Sequence, residues 1–171
     1  VGLPPTHDQS YRYYMNKHLF ERVNIDMRNT HVPDGTAEDI PAACEAYERR
    51  IAECGGIDFQ LLGIGRSGHV GFNEPASSFS SRTRIKTLNE TTVNQNRPLF
   101  ADDEDVPRHA LTMGLGTILS ARQCLLLVTG EEKAEIAARA IEGPVTAMVL
   151  ATGLQFHASC VCVLDEPAAA H

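Results

Sequence analysis

Behind the apolar run Asp58-Phe59-Gln60-Leu61-Leu62 the chain reads Gly63-Ile64-Gly65-Arg66-Ser67-Gly68-His69-Val70-Gly71-Phe72-Asn73-Glu74-Pro75. His69 and Glu74 are the proton-moving candidates of this stretch. An imidazole titrates near neutral pH, and a carboxylate five positions on can orient it and hold a proton on it, which makes a general acid/base pair. Glycines let the backbone approach a bound molecule closely and turn N–H groups toward it, so Gly63 and Gly65 are candidate substrate-binding positions. Pro75 narrows the conformations open to Glu74. Spacing alone equally allows His69 to cap a turn with Glu74 solvated.

Gly63, Gly65 and Gly68 also satisfy GxGxxG, the fingerprint of dinucleotide folds. That motif needs a helix straight after the glycines and an acid about 20 residues on. Gly71, Asn73 and Pro75 break any such helix, and Glu90, the acid at that distance, follows a basic stretch. Dinucleotide binding is therefore disfavoured and no cofactor is expected. The five cysteines, at 44, 54, 124, 160 and 162, form no CxxC pair and no Cys/His ladder, so no metal is expected either.

Lys133 follows Thr129-Gly130-Glu131-Glu132 where a strand gives way to a helix, a junction that suits a phosphate, although most lysines in a first helical turn are simply solvated. Arg97 is a loop arginine with weak local support. Arg82, Arg84 and Lys86 alternate with Thr83, Ile85 and Thr87, which predicts an extended segment with one basic face over Ser80 to Leu88.

The elements that must position these residues follow from periodicity. An amphipathic segment is predicted from about Ser10 to Val23. A helix from Thr36 to about Cys54 is predicted from Ile40, Ala43, Tyr47 and Ile51, with Thr36 and Asp39 as a capping box and Gly55-Gly56 as the stop. Strands are predicted before Gly63, at Ala110 to Met113, at Cys124 to Val128 and at Ser159 to Leu164, with helical pieces at Thr117 to Ala121 and Glu131 to Ile141. Strands alternating with helices predict an α/β fold, mostly a parallel sheet covered by helices on both faces.

At 171 residues, 43% hydrophobic and 22% charged, the chain has the composition of one ordinary α/β domain spanning 1–171. No run approaches the ~18 apolar residues of a membrane span, so no membrane partner is expected. A net charge of -7 and 6% aromatics argue against nucleic acid, which needs a basic face. The cysteine pattern fits a reduced, cytoplasmic setting. The start, VGLPPTHDQSY, has neither Met nor a signal segment and reads as a chain entered in the middle.

Taken together, SYRYYMNKHLF, LGIGRSGHVGFNEPASSFSSRTRIKTL, ALTMGLGTIL, VTGEEKA, IEGPVTAM, LQFH and VCVLDEPA resemble the glucosamine-6-phosphate deaminase (glucosamine-6-phosphate isomerase) family over nearly the whole chain. The resemblance implies a Rossmann-like sugar-phosphate isomerase/deaminase fold, incomplete at the N-terminus, and a cytoplasmic homo-oligomer of amino-sugar catabolism, classed as a hydrolase and isomerase. It implies conversion of glucosamine 6-phosphate and water to fructose 6-phosphate and ammonia. His69 would assist ring opening, Glu74 would support it, and Lys133 with Arg97 would bind the sugar phosphate. Ser77, Arg84, Lys86 and Thr87 match positions that bind an activating amino-sugar phosphate in some bacterial members. Ser67 stands where the family usually has Asp or Asn, so a catalytic relay there would run through a hydroxyl that carries no charge. Family members also carry a first strand, a phosphate loop and the aspartate base of the C1/C2 transfer before the segment matching Val1. The alternatives are a non-catalytic sugar-phosphate sensor and a 6-phosphogluconolactonase-like enzyme.

Overall fold

The computed structural model describes residues 1–171. In chain order its regular elements are α1 (Tyr11–His18), α2 (Ile40–Glu53), β1 (Phe59–Gly63), β2 (Arg84–Thr87), α3 (Glu90–Asn96), β3 (His109–Thr112), α4 (Leu115–Leu119), β4 (Gln123–Val128), α5 (Ala134–Glu142) and β5 (Cys160–Leu164). They fall into two compact units, Val1–Tyr47 with Ile85–Leu111, and Glu48–Arg84 with Thr112–His171.

The second unit holds the parallel sheet expected from the apolar runs, in the order β1-β4-β5. Leu62 of β1 pairs in register with Leu126 of β4, which pairs with Cys162 of β5. Side chains alternate across a strand, so one face carries Leu62, Cys124, Leu126 and Val128. These pack with Ile118 of α4, with Ile136, Ala137 and Ala140 of α5, and with Val149, Ala151 and Leu154. The opposite face presents Phe59, Leu61, Leu127, Val161 and Val163, each 41–57% exposed. All five cysteines are free thiols. Burial, with Cys162 and Cys124 close by, pushes the Cys160 thiol up to about 11, so it sits protonated.

In the first unit Ser10 caps α1, its hydroxyl accepting from the Tyr13 N–H at 3.1 Å. The helix is shorter than the amphipathic pattern, ending at His18 before a 3₁₀ turn at Phe20–Arg22. Phe20 is buried under the Arg12 guanidinium, which also donates to the Thr30 carbonyl. The cap of α2 is Asp39, whose carboxylate accepts from the Ala42 N–H at 2.9 Å, while Thr36 bonds to Asp34; the predicted Thr36 start is corrected by about one turn. The glycine stop holds: Gly55 and Gly56 take φ of 85° and 92°, and their N–H groups close onto Ala52 and Ile51.

Glu48 ties three pieces of the second unit together. Its carboxylate accepts from the Thr83 N–H at 2.8 Å, from the Thr83 hydroxyl and from the Thr117 hydroxyl at 2.7 Å, with Arg82 3.9 Å away. Burial raises its pKa, but those hydrogen bonds outweigh burial and hold it below the ordinary value of 4.5. Thr83 and Thr117 are both buried, so Glu48→Ala strands their donors and is expected to cost about 1–3 kcal/mol. A urea midpoint that falls with an unchanged slope checks this. The sign on acidification follows from the depressed pKa. This stability is present above pH 4.5 and is lost as pH drops through the folded-state value, so the parent should lose more on acidification than the variant.

Candidate active site

Because β1, β4 and β5 run parallel and in register, the loops after Gly63, Val128 and Leu164 emerge at one end of the sheet, where α/β proteins place ligands. The first carries His69, the second Lys133 and the third Asp165.

Leu62 and Ile64 are buried and fix the root of the first loop. The loop then folds back on itself, the Gly65 N–H donating to the His69 carbonyl and the Gly68 N–H to the Gly65 carbonyl, both at 2.9 Å. Gly68 has a φ of 77°, and its carbonyl accepts from the Ala151 N–H. A Cβ on Gly65 would fall inside the His69 imidazole, so the ring lies directly over that glycine. The Ser67 hydroxyl lies 2.8 Å from His69 Nδ1. A hydroxyl therefore touches the ring at the position that the resemblance gave to Asp or Asn. Burial is the main reason the His69 pKa lies below 6.5; Glu74 raises it and Lys133 lowers it. The imidazole is thus neutral at pH 7 and able to accept a proton.

Glu74 is half-buried and sits in a tight turn. The Ser77 N–H and hydroxyl donate to its carbonyl at 3.1 and 2.6 Å, and Ala76 adopts a φ of 67°, unusual for a residue with a Cβ. Just before it, Asn73 is fully buried and donates through Nδ2 to the Val70 and Met113 carbonyls. Asn73 carries no motif of its own; its place in a loop between Gly71 and Pro75 is the only signal the sequence gives for it.

Lys133 closes the 3₁₀ turn Glu131–Lys133 ahead of α5 and reaches across to the first loop, where Nζ donates to the Ile64 carbonyl at 3.0 Å. The turn is held from the third loop: the Asp165 carboxylate accepts from the N–H groups of Gly130 and Ala168. Burial lowers the Lys133 pKa, Glu132 opposes that and Arg66 adds to it. The structure thus brings Ser67, His69, Glu74 and Lys133 together. Gly63 ends β1 with open space where a Cβ would stand.

The other candidates have different surroundings. Arg97 lies in the first unit, where its guanidinium donates to the carbonyls of Ala101, Asp102 and Glu104. Ser77 is buried with its hydroxyl committed to Glu74. The predicted strand from Ser80 shrinks to β2, because Ser78 to Ser81 form a turn and Arg82 turns toward Glu48. Arg84 donates to the Arg82 carbonyl; Lys86 and Thr87 follow on β2, with Lys86 half-buried and Thr87 exposed. No three His, Cys, Asp or Glu side chains gather closely enough to hold a metal ion, and no helix is long and apolar enough to cross a membrane.

A family model described as glucosamine-6-phosphate isomerases/6-phosphogluconolactonase matches residues 2–161. The glucosamine-6-phosphate deaminase of Shewanella loihica is 54% identical over 99% of this chain and 63% of its own length. A solved structure described as a monomeric glucosamine-6-phosphate deaminase is 41% identical, covers 99% of this chain and 70% of its own, and has a TM-score of 0.95. The 6-phosphogluconolactonase from Trypanosoma cruzi, 19% identical with a TM-score of 0.69 over 99% of this chain and 68% of its own, shares the fold. The chain spans 63–65% of the length of the curated relatives it matches. These names correct the expected hydrolase class: they describe isomerases and deaminases, a lyase-type class. By a match that runs almost from end to end, this chain belongs to the glucosamine-6-phosphate isomerase/6-phosphogluconolactonase family.

Proposed function

We propose that the protein is a glucosamine-6-phosphate deaminase, converting glucosamine 6-phosphate and water to fructose 6-phosphate and ammonia. The observation that carries this reading is the half-buried His69 imidazole, lying directly over Gly65, touched by Ser67 at Nδ1 and close to Glu74 and Lys133. With Nδ1–H donated to the Ser67 hydroxyl, Nε2 is the free base. It takes the proton of the anomeric hydroxyl and returns a proton to the ring oxygen, which opens the sugar. The Glu74 carboxylate stabilises the imidazolium formed in between. Lys133 and the loop amides hold the phosphate. Ammonia is lost only after the C2 imine left by proton movement takes up water and collapses to the ketone of fructose 6-phosphate, so the committing step is the proton transfer from C2 to C1. That transfer belongs to the aspartate which the resemblance places ahead of Val1. No cofactor enters the scheme, and a cytoplasmic homo-oligomer is part of the same proposal, to be decided by light scattering in solution.

The test compares the 171-residue chain with an extended protein in which the preceding segment of a curated relative is joined to Val1. Ammonia and fructose 6-phosphate in equal amounts from the extended protein support the reading. Ligand-induced thermal stabilisation with no ammonia from either would make the protein a sensor, and hydrolysis of 6-phosphogluconolactone with no ammonia would make it a lactonase. In the active protein Lys133→Met is expected to raise KM by about 10–100-fold with a smaller loss in kcat, since a charged hydrogen bond to phosphate contributes about 1.5–3 kcal/mol. The acid limb of kcat/KM is expected below pH 6.5, because the catalytic form is the neutral ring and burial keeps it neutral to lower pH.

A further inference from the structure

Beside Lys133 stands a cation that no motif accounts for. Arg66 occupies a corner of the tight turn closed by the Gly68 N–H on the Gly65 carbonyl, one residue before Ser67 and three before His69. The turn is locked in place by Lys133 itself, whose Nζ holds the Ile64 carbonyl 3.0 Å away, two residues from Arg66. The Arg66 side chain is exposed and makes no hydrogen bond or ion pair with any protein group. Neither the Arg66 nor the Ser67 backbone N–H has a protein acceptor. The Lys133 Nζ bond to Ile64, at the root of the turn that carries Arg66, therefore puts two cations at one corner of the sheet end, where Arg66 adds to burial in lowering the Lys133 pKa and Glu132 opposes it. Like charges side by side cost free energy unless an anion is shared between them.

Arg97, the arginine that the resemblance assigned to the phosphate, is tied to three carbonyls of its own loop. A planar guanidinium is the side chain best shaped to take two oxygens of a phosphoryl group, with Lys133 as the point charge opposite. We propose that Arg66 is a substrate-binding residue that pairs with Lys133 to clasp the phosphoryl group of the sugar phosphate, with the free N–H groups of Arg66 and Ser67 adding donors. This rests on the sugar-phosphate reading of the site and adds to it the residue that selects the phosphorylated sugar. With the phosphate held one residue from Ser67, the rest of the hexose is directed over His69.

The test uses Arg66→Gln and Arg66→Lys in the 171-residue chain and in the extended protein. Inorganic phosphate is titrated by calorimetry, and glucosamine 6-phosphate turnover is followed by ammonia release. Arg66→Gln is expected to weaken phosphate binding by about 10–100-fold and raise KM by a similar factor, with a much smaller change in kcat. Arg66→Lys should recover part of the loss, as a point charge replaces the fork. A parent that shows no saturable phosphate binding, or an Arg66→Gln variant with the parent's phosphate affinity and KM, overturns the assignment. The outcomes separate the two proposals. Ammonia release that Arg66→Gln leaves unchanged removes Arg66 and keeps the deaminase; phosphate binding that Arg66→Gln weakens, with no ammonia from the extended parent, keeps Arg66 and removes the deaminase.

Discussion

Replacing His69 with asparagine is expected to lower turnover of glucosamine 6-phosphate by about 10²–10⁴-fold, the usual contribution of a positioned acid/base group. Asparagine is close to imidazole in reach and can still meet the Ser67 hydroxyl, so the loop that Gly65 and Gly68 fold back has no reason to move. What disappears is a group that exchanges protons near neutral pH. KM should change far less than kcat, because the cations that hold the phosphate are untouched. The residual rate should also lose its acid limb, since the titrating ring is gone. Initial rates of ammonia formation between pH 5 and 8 read all three effects, a range that spans the ordinary histidine value of about 6.5. A fall in kcat of less than about threefold would remove His69 from the chemistry.

Gly65→Ala is expected to be nearly as damaging, by about 10²-fold or more in kcat, for a steric reason alone. The added methyl would occupy the space of the His69 ring, which must swing away from Ser67 and Glu74. Gly65 does not need a left-handed backbone, so the substitution leaves the main chain unstrained. Gly68→Ala is the informative contrast. There a Cβ meets Val149 and the φ of 77° disfavours any side chain, so stability should fall together with activity. Thermal melts beside activity assays separate the two. Gly65→Ala is expected to lose catalysis with a melting temperature within about 4 °C of the parent, and Gly68→Ala to lose both.

How much of this was legible before the fold was in hand depended on whether the cause was local. The strands were readable because buried parallel strands are short, near-continuous apolar runs, as Cys124 to Val128 shows. The end of α2 was readable because two glycines do the stopping, whereas its start was misplaced since Thr36 and Asp39 are both competent caps and only the geometry chooses Asp39. Helix α3 went unread although Asn89 caps it through the Thr92 N–H, because a single turn or two of polar residues has no apolar period. The strand through Ser80 and Ser81 was overextended. The alternation continues there, but Ser81 instead accepts from the Gly116 N–H and, through its hydroxyl, from the Leu115 N–H.

The site shows the same division. Type and spacing single out His69 and Glu74, but leave a turn-capping histidine with a solvated glutamate equally open. Gly65 offers room for a bound molecule by its type, and in the fold the His69 imidazole lies over it. Ser67 draws notice only through the resemblance, and its hydroxyl lies 2.8 Å from His69 Nδ1. The environment of Arg97 could not be foreseen, because its partners are backbone carbonyls, which every residue has. Asp165 and Asn73 act through the backbone N–H and C=O groups of distant loops, contacts that leave no spacing in the chain.

Whether the His69 ring is a neutral base facing a hexose phosphate is read by nitrogen NMR of that ring, assigned by its loss in His69→Asn and titrated with pH in the extended protein with and without fructose 6-phosphate. The expected result is a midpoint below 6.5 in the free protein, and ring nitrogen shifts that move on addition of the hexose phosphate but not of fructose. A midpoint at or above 6.5, with ring signals indifferent to the hexose phosphate at concentrations that saturate binding, would contradict it.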